Sequence, residues 1–357
     1  MKRIDALREL AFEKKNYDAF LVASDSNLLY LTGTPGAACL LIPKKGENTI
    51  YVFGLNYEQT KAEAKGFKVE VLKRGEKLGE KIGPGLKALK VKKIASDTLS
   101  YELHRLLARA IRGRAKLKVQ GDFISGMRKV KDNEELDRMR KAGEITVAGM
   151  KAAYETIRPD VTEVEVAAEI EYAMRKKGGY GTAFATIVAS GIRSAYPHGG
   201  CAGRKIRRGD LVVVDIGAIY EYYCSDMTRT FVAGAPSDKQ KKLYEVVKTA
   251  QEEAYQAIRA KTQGKDVDQA ARKIIEDAGY GENFNHGLGH GVGLEVHEGP
   301  VLSPISKDRL AVGNVVTDEP GIYIPGFGGV RIEDSVLVKQ RVSEKFTNGF
   351  YSLETAR

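Results

Sequence analysis

The sequence predicts an α/β N-terminal domain followed by an α+β domain. The second is expected to contain two helix-helix-sheet units, related by an approximate twofold axis, around a curved antiparallel sheet. Three observations carry this. Short strand and helix patterns alternate through the first third of the chain; the remainder repeats itself; and two strand-turn-strand patterns in the repeat region carry acids at matched places. A length of 357 residues suits two cores better than one.

In the first domain Ile4, Leu7 and Leu10 fall at helical spacing. The segments AFLVAS (19–24), AACLLIP (37–43), TIYVFG (49–54), KVEVL (68–72) and KKIAS (92–96) read as strands. Leu99 to Ala110 reads as a helix. The segment holds no cluster of acids and histidines, so a scaffold or substrate-gating role is expected. The boundary falls within Ser125 to Lys131, giving domains 1–125 and 126–357. Asp132 then caps a new helix with Glu135 three residues later. Leu136, Met139, Met150, Ala153 and Ile157 share one face of it until Pro159.

The repeat pairs Thr162-Glu163-Val164-Glu165-Val166-Ala167-Ala168 with Lys265-Asp266-Val267-Asp268-Gln269-Ala270-Ala271. Both runs lead to Gly-Tyr-Gly, at 179–181 and 279–281. Each follows a long helical pattern and precedes strand-like sequence, as expected for two related units.

Composition excludes several classes. With 43% hydrophobic and 29% charged residues the chain reads as globular. No apolar run approaches the roughly 20 residues of a membrane span, so no membrane partner is expected. MKRIDALREL lacks the apolar core of a secretory signal. Cys39, Cys201 and Cys224 are odd in number and without metal-finger spacing, so a cytoplasmic setting is expected. The formal charge of +10 raises nucleic-acid binding, but the basic residues are spread along the chain without interleaved aromatics, and no nucleic-acid partner is expected.

The chemistry lies in the two acid-bearing patterns. In LVVVDIGAIYEYYCSDMTRTFVAG, a hairpin centred on Tyr220 and Glu221 would set Asp215 opposite Asp226. In VVTDEPGIYIPGFGGVRIEDSVLV, a turn centred on Gly326 would set Glu319 opposite Glu333. Cross-strand Cβ atoms lie about 4.5–5.5 Å apart. Carboxylates that close in apolar strands repel unless a proton or cation lies between them. One such pair could be a surface accident; two, each symmetric about a turn, are not explained that way. Between them lies HGLGHGVGLEVHEGP, and four of the five histidines are His198, His286, His290 and His297. Glycines 287, 289, 291 and 293 make no dinucleotide fingerprint, because Val292 stands where its third glycine would fall. Their expected use is to let the backbone approach a crowded site, with His290 reaching inward. Four carboxylates and one imidazole suit two divalent ions such as Mn²⁺, Co²⁺ or Zn²⁺.

At these motifs the chain resembles the pita-bread metallopeptidases, a family that includes aminopeptidase P, prolidase, methionine aminopeptidase and the metal-free creatinase. VVDIGAIY, SDMTRTFV, HGLGHGVGLEVHE, DEPGIYIPG and GGVRIEDS match its five ligand-bearing motifs in order and spacing. The resemblance implies Asp215, Asp226, His290, Glu319 and Glu333 as metal ligands, with Asp226 and Glu333 bridging two ions. Asp215 would complete one ion, and His290 and Glu319 the other. It implies His198 and His297 as donors to the scissile carbonyl oxygen, Glu319 as the base for the attacking water, and Arg331 as an arginine near the site. Thr228 and Arg229 are the expected supports of Asp226.

SNLLYLTGTPGAACLLIP resembles the creatinase-like N-terminal domain that accompanies proline-specific members. Peptides with proline at the second position are thus the implied substrates, and a homodimer the implied assembly. Two positions depart from the family pattern. Asp318 would add a charge at the sheet edge, and Cys224 stands where small polar residues are common, with a buried apolar role expected. Prolidases place an arginine after His-Glu-x-Pro; here His297-Glu298-Gly299-Pro300 is followed by Val301. The reading therefore leans to an aminopeptidase P-like enzyme, with Xaa-Pro dipeptidase (prolidase) as the alternative and an inactive binding module as the reading of another class.

Overall fold

The computed structural model describes residues 2–356 and divides into two compact units between Arg128 and Lys129. The first holds a six-stranded sheet of β1 (Ala19–Val22), β2 (Ala37–Pro43), β3 (Thr49–Phe53), β4 (Lys68–Leu72), β5 (Lys93–Ser96) and β6 (Lys116–Val119), in the order β4-β3-β2-β1-β5-β6. The β1–β2 and β2–β3 pairs are antiparallel; the others are parallel. All four residues of β1 are buried, as a strand covered on both faces requires. Ala19 and Leu21 pack with Ile82, Leu86 and Leu107, while Phe20 stacks on Phe123 with centroids 5.9 Å apart.

The five strands read from the sequence are β1 to β5. The reading missed β6, whose Lys-Leu-Lys-Val is an exposed edge, and the helix Leu78–Ala88, which contains Pro84. Burial of Ile82 and Leu86 there outweighs the poor helix propensity of its glycines and proline. The expected helix at Leu99 begins instead at Tyr101, because the Ser100 hydroxyl caps it by accepting from Leu103 N–H.

The second unit opens with helix Asn133–Thr156, closed at its start by the Asp132–Glu135 capping box. Helix Glu163–Lys176 follows, and the pair recurs as Asp238–Ala257 and Gly264–Asp277. The two shorter helices, each of 14 residues, start at Glu163 and Gly264. Val166 therefore corresponds to Val267, and both are fully buried. The repeat is real but shifted by two residues from the pairing of Thr162 with Lys265, because the buried apolar positions, not the similar-looking acids, define the equivalence. Each helix pair covers its own apolar cluster, one around Val166, Val212 and Phe231 and one around Val267, Val316 and Val330.

The strands of this unit are β7 (Gly181–Thr182), β8 (Ile187–Ser190), β9 (Leu211–Ile216), β10 (Ala218–Tyr220), β11 (Tyr223–Cys224), β12 (Met227–Val232), β13 (Gly289–Gly291), β14 (Glu298–Leu302), β15 (Val315–Asp318), β16 (Gly321–Ile324), β17 (Gly328–Arg331), β18 (Asp334–Leu337) and β19 (Glu344–Lys345). They form ladders β12-β9-β8, β11-β10-β7, β14-β13-β15-β18-β19 and β16-β17, and every pairing is antiparallel. Glu333 N–H donates to Thr228 O at 3.0 Å and Arg331 N–H to Thr230 Oγ1 at 3.0 Å. These bonds join the strand of one half to the hairpin of the other.

Candidate metal centre

The first hairpin differs in register from the expectation. Its turn is Glu221-Tyr222, both residues with positive φ, and Tyr220 pairs with Tyr223. Asp215 consequently faces Thr228, not Asp226. The slip is an even number of residues, so Asp226 stays on the face of Asp215 as its diagonal neighbour. Glu-Tyr is not a residue pair that signals a two-residue turn with φ > 0, which is why the register was illegible. The ladder also breaks beside the acid, at Gly217 and at Ser225-Asp226. A Cβ on Gly217 would lie 2.1 Å from Ser225 O, so only glycine lets the two backbones approach this closely.

The second hairpin has the register the sequence predicts. Gly321 pairs with Arg331 and Asp318 with Asp334, which sets Glu319 opposite Glu333 at the break between the two ladders. Beside them, His290 projects from β13, whose N–H donates to Thr317 Oγ1 at 3.0 Å. A Cβ on Gly289 would meet Thr317 O at 2.3 Å, and one on Gly291 would meet Gly299 O at 2.2 Å. The flanking glycines thus serve close backbone approach.

These elements bring one ligand atom each from Asp226, His290 and Glu333 within 4.8 Å of one another. His290 Nε2 lies 3.3 Å from Glu319 Oε1 and 3.8 Å from Asp226 Oδ2. His290 Nδ1 faces Gly291 O at 3.1 Å; that contact assigns the proton to Nδ1 and leaves Nε2 turned toward the acids. Asp215 Oδ2 accepts from an Arg331 amino group at 2.6 Å, while its buried Oδ1 has no hydrogen-bond partner among the described residues.

The electrostatics are those of an uncompensated acid cluster. Burial, then the charges of Glu333 and Asp215, push Asp226 well above the usual carboxylate range. Burial, then Glu319 and Asp215, do the same to Glu333. Burial also raises Asp215, against the pull of Arg331. Glu319 alone goes the other way: burial would raise it, but the hydrogen bond and charge of His290 hold it down to about 2. Four acids face one imidazole and one guanidinium, with a buried oxygen left over. Divalent cations satisfy that oxygen-rich, single-nitrogen donor set.

Arg331 is held on all sides. Its Nε donates to Thr228 Oγ1 at 3.1 Å and one amino group to Tyr323 Oη at 2.8 Å. Thr228 Oγ1 in turn donates to Glu333 Oε2 at 2.5 Å. Thr228 therefore supports Glu333 where Asp226 was expected. Arg229 does not reach Asp226 either. It donates to the carbonyls of Glu333, Thr228, Gly349 and Thr347 and to Asp334, on the opposite side of the strand, because adjacent strand residues alternate faces. Asp226 is instead clasped through its backbone by Ser335, whose hydroxyl accepts from its N–H at 3.2 Å and donates to its carbonyl at 2.9 Å.

Asp318 is not at a sheet edge. It is fully buried on β15, between β13 and β18, opposite Asp334, and burial pushes it well above the carboxylate range. Cys224 packs in an apolar cluster with Leu136 and Met139, the expected apolar role.

Beside the acids opens a cavity of about 740 Å³, lined also by Phe184, Ile187, His198, His286, His297 and Val301. The ring of His297 lies beside that of His290, tilted to it, with centroids 4.2 Å apart; burial and the neighbouring His290 lower its pKa. His198 stands exposed on the wall formed by the loop after β8. His286 Nδ1 faces Gly287 O and its Nε2 faces Tyr323 Oη, so the tyrosine links His286 to Arg331. Sequence reasoning missed Tyr323, Thr317 and Ser335. Period-two counting would have found Tyr323, which shares a face with Glu319 across Gly321.

The description "metallopeptidase family M24" matches residues 137–340, and "Creatinase/Prolidase N-terminal domain" matches residues 3–130. A relative named Xaa-Pro dipeptidase from Pyrococcus horikoshii is 43% identical over 336 residues, 94% of each chain. Among solved structures, an Xaa-Pro dipeptidase from Bacillus anthracis superposes with a TM-score of 0.94 at 36% identity, covering 99% of each chain. An X-Pro aminopeptidase from Thermotoga maritima does so at 0.87 and 38%, covering 95% of this chain and 98% of that one.

Proposed function

Because this chain belongs to metallopeptidase family M24, with a creatinase-type N-terminal domain and a pita-bread catalytic domain, we propose that it is a two-metal exopeptidase that cleaves Xaa-Pro dipeptides. That it is a metallo-exopeptidase follows from the family, and an inactive binding module is set aside. The observation that carries the reading is the convergence of Asp226, His290 and Glu333 with Asp215 and Glu319 beside them.

Asp215, Asp226, His290, Glu319 and Glu333 would hold two ions of Mn²⁺, Co²⁺ or Zn²⁺. Bound there, the ions would polarise the scissile carbonyl and acidify a water. Arg331 orients Asp215. Glu319, opposite Glu333 and beside His290, takes the proton of the attacking water and passes it to the leaving proline nitrogen. His198 and His297, on the cavity wall, donate to the oxygen on which negative charge develops.

The relative's name supports the dipeptide preference at 43% identity and moves the reading away from the lean to aminopeptidase P. One observation favours the second reading, an aminopeptidase acting on longer peptides. Val301 lines the cavity and offers no charge to a proline carboxylate, and Arg331 is committed to Asp215 and Tyr323. The deciding experiment compares Xaa-Pro with Xaa-Pro-Yaa and with Xaa-Pro amide on the metal-loaded enzyme. Higher kcat/KM for the free dipeptide is expected. Equal or greater turnover of the tripeptide and the amide would replace the dipeptidase reading with the second.

A further inference from the structure

We propose that Glu163 and Arg193 are positioning residues that clamp the loop after β8 and so hold His198 at the cavity wall. The inference rests on the role given to His198 above. Glu163 is the first residue of its helix, and its carboxylate is completely buried. Oε1 accepts from Ser190 N–H at 2.8 Å and from Ser190 Oγ at 2.7 Å. Oε2 accepts from Ala202 N–H at 2.9 Å. One carboxylate thus closes the loop at both ends, four residues past His198 on one side and at the end of β8 on the other. Arg193, within the loop, pairs with Glu163 at 3.2 Å and donates to Gly199 O, the carbonyl next to His198, at 2.6 Å.

The ring of His198 is exposed and makes no hydrogen bond among the described residues, so its place depends on its backbone. A buried carboxylate is costly unless donors surround it; here every donor lies in the loop or at the end of β8 where the loop begins. The other half of the domain carries a counterpart. Asp268, buried on the matching helix, accepts from Leu288 N–H at 2.9 Å and from Arg272. Arg272 also donates to Phe284 O and His286 O. Each half therefore uses a helix-borne carboxylate and an arginine to hold the histidine-bearing segment on its side of the cavity.

The test uses metal-loaded Arg193→Ala and Glu163→Gln enzymes, each alone and combined with His198→Ala. Misplacing a reacting group by about 1 Å can cost on the order of a hundredfold, so each single variant is expected to lose about tenfold to a hundredfold in kcat with metal content and KM unchanged. Amide exchange in residues 196–202 should accelerate. Each double variant should be no slower than His198→Ala, because the clamp acts through that residue. Wild-type exchange in both variants, or losses that multiply with that of His198→Ala, would overturn the clamp. Faster exchange together with a fully active His198→Ala enzyme would instead overturn the role of His198, and the catalytic part of this inference with it.

Discussion

The hydroxyl of Thr228 donates to Glu333 Oε2 at 2.5 Å while its backbone faces Asp215 across the β9–β12 ladder. One residue of the first half thus supports an acid of the second, and its oxygen also accepts from Arg331, which holds Asp215. Asp215 and Glu333, one candidate ligand from each half, are thus joined through Thr228 and Arg331.

Thr228→Val keeps the shape and removes that oxygen. Groups that orient metal ligands typically change affinity by about 10–100-fold, so divalent-ion affinity, read by titrating the apo-protein, should weaken by that order with little change in secondary structure. Unaltered affinity would show that Thr228 does not support the site.

Chelation should abolish turnover and lower the melting temperature, and added divalent ion should restore both, because a ligand bound only by the native state stabilises it. The surplus of buried carboxylates makes the apo-state the less stable one. Asp226→Asn should lose metal and activity together. Full turnover by protein shown to be metal-free would exclude the mechanism.

His297→Ala should lower kcat by on the order of 10²–10³ while metal content stays at the wild-type value. Its ring lies beside that of His290, centroids 4.2 Å apart, while it is His290 Nε2 that lies 3.3 Å from Glu319 Oε1. Loss of metal in this variant would make His297 a ligand.

Glu344 tests the acid side of stability. Its hydrogen bond with Arg140, against partial burial and aided by Lys339, holds its pKa down to about 2. A depressed carboxylate stabilises the fold fully above its unfolded pKa and loses that contribution as pH falls through the folded one. Glu344→Gln should therefore cost about 0.5–1 kcal/mol, the scale of a well-formed surface pair, near neutral pH. The difference should vanish between about pH 4.5 and pH 2. Melting curves across that range check it; a difference that grows with acidity would reverse the assignment.

Much of this was legible in the chain itself. Contiguous apolar runs marked β1, β2 and β3, since buried strands declare themselves by composition. Asp132 and Glu135 announced the helix that opens the second unit, and the symmetric spacing about Gly326 set Glu319 opposite Glu333, because a hairpin's register follows from its turn. Asp215 and Asp226 could be singled out because acids in apolar strands need an explanation, and His290 because it stands in the glycine-rich run between the two acid pairs. Tertiary structure decided the rest. The turn at Glu221-Tyr222 has no sequence signature, so the facing of Asp215 with Thr228 emerged only from packing. Ser335 and Tyr323 are ordinary strand residues until the two halves meet, and that meeting gives Thr228 to Glu333 in place of the expected Asp226. Glu163 and Arg193 look like surface charges of an amphipathic pattern. Burial and long-range hydrogen bonds, which depend on residues far apart in sequence, turn them into fixed parts of the site.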